Sequence, residues 1–161
     1  MSDAPLLIVW HSRTGTAEQL SSAAARGAGK AGRLLRACDV EPEDLRSASG
    51  FLFCCPENLA AMSGEMKEMF DRCYYPVLGS IEGRPYATII AAGSDGEGAQ
   101  RQIDRIATGW RLKRVADPWI VNTAAQEAEE ILAPKTVGQE ELRKACEMGQ
   151  GLAEGLSQGI F

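Results

Sequence analysis

Residues 12–16, Ser-Arg-Thr-Gly-Thr, combine three hydroxyl groups, a cation and a glycine directly after the apolar run at residues 6–10. The hydroxyls are hydrogen-bond donors of little bulk, and Gly15 lets a ligand approach the backbone closely. A helical pattern follows, so the turn lies at a helix N-terminus, where partial positive charge accumulates. Backbone N–H groups there can point toward a bound anion. This chemistry favours a bound phosphate monoester.

Two better-known phosphate loops are excluded at this position. A Walker A loop needs Lys-Ser or Lys-Thr after a glycine, and neither dipeptide is present there. The dinucleotide pattern GxGxxG is also missing. The alternative, an ordinary helix N-cap at Ser12 or Thr14, stays open.

Two other segments are candidates for contact with the same ligand. Residues 56–61 follow an apolar strand and expose backbone polar groups that can meet the edge of a planar ring. Residues 91–98, Ala-Ala-Gly-Ser-Asp-Gly-Glu-Gly, hold three glycines that keep the loop thin. Taken alone, each segment is equally compatible with routine turn chemistry.

The elements that position these loops alternate between strand and helix. Apolar runs predict strands at residues 6–10, 33–38, 51–55, 87–92 and 119–121, with residues 112–115 a possible part of the last. Apolar spacing of three and four predicts helices around residues 17–28, 62–73, 99–110 and 142–156, the last opened by a Thr136–Gln139 capping box. Residues 39–49 are expected to form a polar connection that can include one helical turn, and Pro56 is expected to end the third strand. This alternation predicts one domain over residues 1–161, with a five-stranded parallel sheet covered by helices on both faces. Ligands of such sheets bind beyond the carboxyl ends of the strands, where all three candidate loops lie.

Composition excludes several classes of protein. The chain has 161 residues, 45% hydrophobic and 24% charged, as expected for a globular domain. A net charge of -5 argues against nucleic-acid binding. No apolar run is long enough to span a membrane. The start at Asp3 lacks the basic residues of a signal peptide, so a cytoplasmic protein is expected.

The cysteines and the histidine indicate no metal site. The five cysteines form no CxxC pair, and His11 is the only histidine. Cys54 and Cys55 end an apolar run, which favours buried packing thiols over a redox pair.

With these residues in view, the chain resembles the flavodoxin superfamily. Residues 12–16 look like its FMN-phosphate loop, and residues 56–76 are similar to the second flavin loop and following helix of its NAD(P)H-dependent FMN and quinone reductase branch. Residues 91–98 fall where the third flavin loop lies. The resemblance implies a flavodoxin-like three-layer sandwich with strand order 2-1-3-4-5 and FMN as cofactor. Flavodoxin is a standard example of the rule that ligands bind beyond the carboxyl ends of the strands.

The resemblance also implies roles for individual residues. The FMN phosphate would be held by Ser12, Arg13, Thr14, Gly15 and Thr16. One side of the ring and ribityl chain would be lined by Glu57, Asn58, Leu59, Ala60 and Met62. The other side would be approached by Gly93, Ser94, Asp95 and Gly96. The second loop departs from the reductase pattern of threonine, an aromatic residue and Gly-Asn, and a carboxylate at Glu57 would be repelled by reduced, anionic flavin.

The implied activity is transfer of a hydride from NAD(P)H through FMN to a quinone, flavin or similar acceptor. No aromatic residue is present in the presumed ring loops, which favours an enzyme with an open ring face over a flavodoxin-type electron carrier. No catalytic side chain and no metal are needed, and His11 is expected to be structural. Tyr74, Tyr75 and Trp110 are expected to pack. Two alternatives stay open: an electron carrier without its own NAD(P)H activity, and a flavin-poor regulatory or interaction module. The expected partner is a small-molecule electron acceptor or redox partner, and a homodimer is compatible with the sequence.

Overall fold

The computed structural model describes residues 5–161, so Asp3, on which the signal-peptide argument rests, lies outside the described residues. The strands within this range are β1 (Leu6–Trp10), β2 (Gly32–Arg36), β3 (Gly50–Asn58), β4 (Ala61–Met62), β5 (Pro85–Ala92), β6 (Lys113–Arg114) and β7 (Trp119–Asn122). The helices are α1 (Thr16–Ala28), α2 (Pro42–Ser47), α3 (Gly64–Val77), α4 (Glu97–Gly109), α5 (Ala128–Leu132) and α6 (Gln139–Gln158).

The central sheet has the order β2-β1-β3-β5, and β6 and β7 both pair with β5 as the next strand. All of these pairings are parallel. The predicted flavodoxin-like sheet with order 2-1-3-4-5 is therefore confirmed, although its fifth strand is divided into β6 and β7. Pro118 lies in the gap between the two pieces and has no N–H group to donate to a strand ladder.

Four boundary predictions were wrong. The helix predicted around residues 62–73 begins only at Gly64, because Met62 belongs to β4. β3 does not end at Pro56 but continues to Asn58, because β4 turns back and pairs antiparallel with its last residues. β2 ends at Arg36, since the chain then enters a 3-10 turn. The Thr136 capping box does not form, because α6 begins at Gln139 with Gly138 as an N-cap that has no side-chain hydrogen bond.

The core lies on both faces of the sheet. On one face, buried residues of α1 and α6 pack against the strands. On the other face, residues of α2, α3 and α4 form a cluster that contains Phe53, Phe70 and Trp110. Trp110 is fully buried and donates its indole N–H to the Tyr74 carbonyl at 3.0 Å. Its ring stacks on the Tyr74 ring with centroids 5.7 Å apart, which confirms packing roles for these two aromatics. Tyr75 remains 78% exposed, so its predicted packing is limited to an edge contact with the Tyr74 ring.

Helices α1 and α6 are in direct backbone contact. A Cβ atom added to Gly27 would lie 1.9 Å from the Cys146 carbonyl oxygen, and one added to Gly149 would lie 1.9 Å from that of Ala24. Both glycines are therefore required by the close crossing of the two helices.

Cys54 and Cys55 are fully buried, as predicted for packing thiols. Desolvation raises the pKa of Cys55 to about 12 and that of Cys54 well above its ordinary value. Neither thiol is ionised at neutral pH, which makes both poor nucleophiles.

A polar network at the outer edge of the sheet centres on Asp104 of α4. Its carboxylate accepts hydrogen bonds from Tyr86 at 2.7 Å, from Gln100 at 3.1 Å and from Arg114. Partial burial raises the pKa of Asp104, but these hydrogen bonds outweigh that effect and leave its pKa below the ordinary value. The network ties α4 and β6 to β5.

Within residues 5–161, no helix has the length and apolar character needed to cross a membrane.

Candidate functional site

The loop between β1 and α1 is shaped by Ser12 and Gly15. The Gly15 N–H group donates to Ser12 Oγ at 3.0 Å, and Gly15 has a φ of 108°, a conformation that L side chains rarely adopt. Gly15 is the N-cap of α1 and offers no side-chain acceptor. The first N–H groups of a helix have no partner in the helix itself, so this uncapped end attracts an anion.

The hydroxyl group of Thr16 lies at this helix end. Thr16 is 4% exposed, and its Oγ1 is the one buried side-chain polar atom within residues 5–161 that has no hydrogen-bond partner. Buried hydroxyls are nearly always hydrogen-bonded. An unsatisfied donor beside a helix N-terminus matches the oxygen of a phosphate group, so the residues present fit the FMN phosphate.

The segment between β7 and α6 closes the other side of this loop. Gln19 Nε2 donates to the Gly15 and Lys135 carbonyls at 2.9 Å each, and Gln19 Oε1 accepts from the Val137 N–H at 3.1 Å. The Lys135 N–H also donates to the Thr14 carbonyl at 2.8 Å. One glutamine thus fixes the position of the segment relative to the loop.

Lys135 and Arg13 bring positive charge to the site. The Lys135 ammonium donates to the carbonyls of Glu130 and Ala133, both at 2.6 Å, near the end of α5. Arg13 is exposed and has no ion pair within the described part of the chain. Both side chains line the same cavity as Thr16, which adds electrostatic attraction for an anion.

Glu57 lies on the wall of the cavity and also contacts the N-terminus of α4. Its two carboxylate oxygens accept the N–H groups of Gly96 at 2.8 Å and Ala99 at 3.1 Å. Gly96 is the N-cap of α4 and, like Gly15, has a positive φ and no capping side chain of its own. Glu57 therefore caps α4 from a neighbouring strand and adds the negative charge that a helix N-terminus favours.

The rest of the second loop forms a hairpin between β3 and β4. Its two turn residues, Leu59 and Ala60, have φ values of 52° and 63°, and the Leu59 side chain is completely exposed. Met62 is 3% exposed in the core, and its N–H donates to Gln102 Oε1 at 2.9 Å. The structure thus does not bring Leu59, Ala60 or Met62 to the cavity, because the hairpin turns two of them outward and the third inward.

The third loop reaches the cavity through Gly93. A Cβ atom there would lie 2.8 Å from the Ala125 carbonyl oxygen, so only glycine fits this close approach. Asn122 Nδ2 donates to the Ser94 carbonyl at 2.8 Å and ties this loop to the end of β7. Ser94 and Asp95 are exposed and outside the cavity, and Gly96 supplies its N–H group to Glu57.

The three loops and the segment between β7 and α6 surround one cavity at the carboxyl edge of the sheet. Of the predicted residues, it is lined by Ser12, Arg13, Thr14, Thr16, Glu57, Asn58 and Gly93. Pro56 of the second candidate segment also lines it, and the lining residues missed from the sequence include Thr123, Ala125, Ile131 and Lys135. Its volume of about 50 Å³ is below the roughly 300 Å³ at which typical small-molecule pockets begin. Only part of a ligand would be enclosed, and the rest would lie across the open edge.

His11 has a structural position at the end of β1. Its Nδ1 lies 2.8 Å from the hydroxyl of Ser63, the N-cap of α3. Burial lowers the pKa of His11, Glu65 raises it and Arg36 lowers it, with a net lowering. The ring is neutral at pH 7 and links β1 to α3. Within residues 5–161, no group of three His, Cys, Asp or Glu side chains is arranged to hold a metal ion.

A family model for NADPH-dependent FMN reductase matches residues 42–126, more than half of the chain. The chain belongs to this family. It is an FMN-binding oxidoreductase with NAD(P)H as hydride donor, and the predicted reductase branch of the flavodoxin superfamily is confirmed. The match covers the hairpin after β3 and the Gly93 loop but does not reach residues 12–16.

Solved structures are similar over nearly the whole chain. A flavodoxin from the domain Archaea has a TM-score of 0.74 at 14% identity, over 94% of this chain and 98% of its own. A WrbA-like flavodoxin from Agrobacterium tumefaciens has a TM-score of 0.71 at 16% identity, over 95% and 97%. A flavodiiron core from Synechocystis has a TM-score of 0.76 at 16% identity, over 98% of this chain but 37% of its own. These likenesses show the flavodoxin-like fold. No curated protein sequence matches the chain.

Proposed function

We propose that the loop at residues 12–16 binds the phosphate of FMN at the N-terminus of α1. The observation that carries this assignment is the buried, unpartnered hydroxyl of Thr16. Lys135 and Arg13 add positive charge, and Gln19 holds the wall of the cavity in place.

The two helix N-termini at this edge are not equivalent as anion sites. The N-terminus of α4 already carries the Glu57 carboxylate, whereas α1 has no side-chain cap. This difference supports one phosphate position, at α1, and therefore a mononucleotide flavin.

The ring of FMN would lie along the carboxyl ends of β3 and β5. Glu57, Asn58 and Gly93 all line the cavity at this edge. When bound, FMN supplies two-electron transfer from NAD(P)H to an acceptor. The residues at positions 57–62 and 93–96 include no aromatic side chain, so the protein leaves room for a planar partner to stack. This favours a quinone, a free flavin or a similar small molecule as acceptor, over the carrier and regulatory alternatives.

The five free cysteines support a reducing compartment, and we propose a cytoplasmic location for one domain spanning the chain. The homodimer stays a prediction, and size-exclusion chromatography at two protein concentrations tests it.

The proposed function is tested by adding FMN to the purified protein, washing, and recording the visible spectrum under nitrogen. We expect a retained flavin band that NADPH bleaches and a soluble benzoquinone restores. Riboflavin, which lacks the phosphate, is the matched control and should bind at least tenfold more weakly. A protein that retains no FMN would refute the proposal. Retained FMN that dithionite bleaches but NADPH does not would identify an electron carrier instead.

A further inference from the structure

Glu57 places a fixed carboxylate on the wall of the proposed FMN cavity. Its two oxygens hold the Gly96 and Ala99 N–H groups, so the carboxylate cannot turn away without breaking both bonds. The hairpin also contacts α4 directly, since a Cβ atom at Gly98 would lie 2.0 Å from the Ala60 carbonyl oxygen. The charge is therefore held in one position relative to β3 and β5.

Within the described part of the chain, no cation neutralises this charge through direct contact. Among the ion pairs of residues 5–161, none includes Glu57. The positive groups that line the same cavity are Arg13 and Lys135, and the Lys135 ammonium is held by carbonyl groups of its own segment. The two N–H groups and the partial charge of the helix end compensate the carboxylate only in part.

We propose that the fixed carboxylate of Glu57 lowers the reduction potential of bound FMN through its charge. This inference rests on the proposed function. Reduction at neutral pH adds two electrons and one proton to the neutral flavin ring, which leaves the ring with one negative charge. A fixed carboxylate nearby opposes this charge but not the neutral oxidised ring. The carboxylate thereby weakens the binding of reduced FMN relative to that of oxidised FMN, which makes bound reduced FMN a stronger electron donor to the acceptor.

The test is Glu57→Gln, which keeps the shape and one acceptor oxygen but removes the charge. Two quantities are measured, the dissociation constant of oxidised FMN and the midpoint potential of bound FMN by anaerobic dye-coupled titration. We expect the affinity ratio of reduced to oxidised FMN to rise about tenfold, which corresponds to an upward shift of about 30 mV for a two-electron couple. The matched control is Glu97→Gln, which removes an exposed charge from the first turn of α4, outside the cavity. It should move the potential far less.

The outcomes separate the two proposals. If the wild-type protein binds no FMN, the proposed function fails. If FMN binds and Glu57→Gln leaves the potential unchanged while lowering thermal stability, Glu57 is a helix cap only and the inference is overturned. Should Glu57→Gln fail to fold, Asn58→Asp gives the reverse test, since it adds a charge to the same cavity wall. Asn58→Asp should lower the potential, and an unchanged potential would also overturn the inference.

Discussion

Replacing Thr16 with valine should stabilise the FMN-free protein and weaken FMN binding. Thr16 is 4% exposed, and its buried hydroxyl has no partner within residues 5–161. A buried, unsatisfied polar group costs about 1–3 kcal/mol, and valine removes it while keeping the side-chain shape. We expect the free energy of unfolding to rise by about 1 kcal/mol, which raises Tm by about 2–4 °C for a chain of this size.

The effect of Thr16→Val on FMN binding has the opposite sign. If the hydroxyl donates to the phosphate, its removal deletes a hydrogen bond to a charged group, worth about 1.5–3 kcal/mol. That loss corresponds to a dissociation constant about 10- to 150-fold higher. The same deletion should leave riboflavin binding unchanged, because riboflavin has no phosphate.

Urea unfolding of the FMN-free protein and fluorescence titration with FMN measure the two effects separately. Ser21→Ala is the matched control, because Ser21 is a buried hydroxyl on the same helix that already donates to the Glu18 carbonyl at 3.0 Å. It should lower the free energy of unfolding by about 1 kcal/mol and leave FMN affinity unchanged. The reasoning is refuted if Thr16→Val binds FMN as tightly as the wild type.

Three further predictions concern the fold. Gly149→Ala should lower the free energy of unfolding by about 1–3 kcal/mol in urea titration, because the added Cβ meets a backbone carbonyl of α1. The control is Gly151→Ala, on the same helix with open space around it, which should raise the free energy of unfolding by about 0.5–1 kcal/mol. Ala60→Gly should raise the free energy of unfolding by about 0.5–1 kcal/mol, because it relieves a left-handed residue at the hairpin tip; no gain in urea titration would contradict this. Asp104 has a lowered pKa in the folded state, so its contribution to stability is present above the unfolded pKa of about 4 and is lost as pH falls through the folded value. Thermal unfolding from pH 7 to 2 should therefore show a steeper acid loss for the wild type than for Asp104→Asn, and parallel curves would contradict it.

The sheet was predictable because its strands are defined by local apolar patterns. β1 coincides with the predicted residues 6–10, and α1 ends at Ala28, immediately before Gly29, as its apolar spacing indicates. The pieces that were missed depend on distant partners. β4 has two residues and exists because it pairs with the end of β3, and the division of the fifth strand is visible only beside β5. No local pattern specifies such pairings.

The loop at residues 12–16 could be chosen as a candidate from sequence because its hydroxyls and glycine are contiguous, and four of its residues line the cavity, although their contact with FMN stays a prediction. The wall formed by Thr123 and Lys135 was missed, although the rule that ligands lie at the carboxyl edge of the sheet applies to the loop after the fifth strand as well. Its 16 residues between β7 and α6 show no apolar pattern that fixes their path. That path is set by Gln19, which lies 116 residues from Lys135 in sequence.

The loops before α1 and α4 show why local sequence alone does not identify an anion site. Gly15 and Gly96 are both left-handed N-caps without a side-chain acceptor, with nearly the same backbone angles. Each loop would attract an anion if isolated. What distinguishes them is Glu57, which lies 39 residues before Gly96 and fills the α4 end with its own carboxylate. Glu57, the residue that interrupts the reductase pattern in the second loop, therefore leaves α1 as the N-terminus without a side-chain cap, which is the basis for proposing that the phosphate binds there.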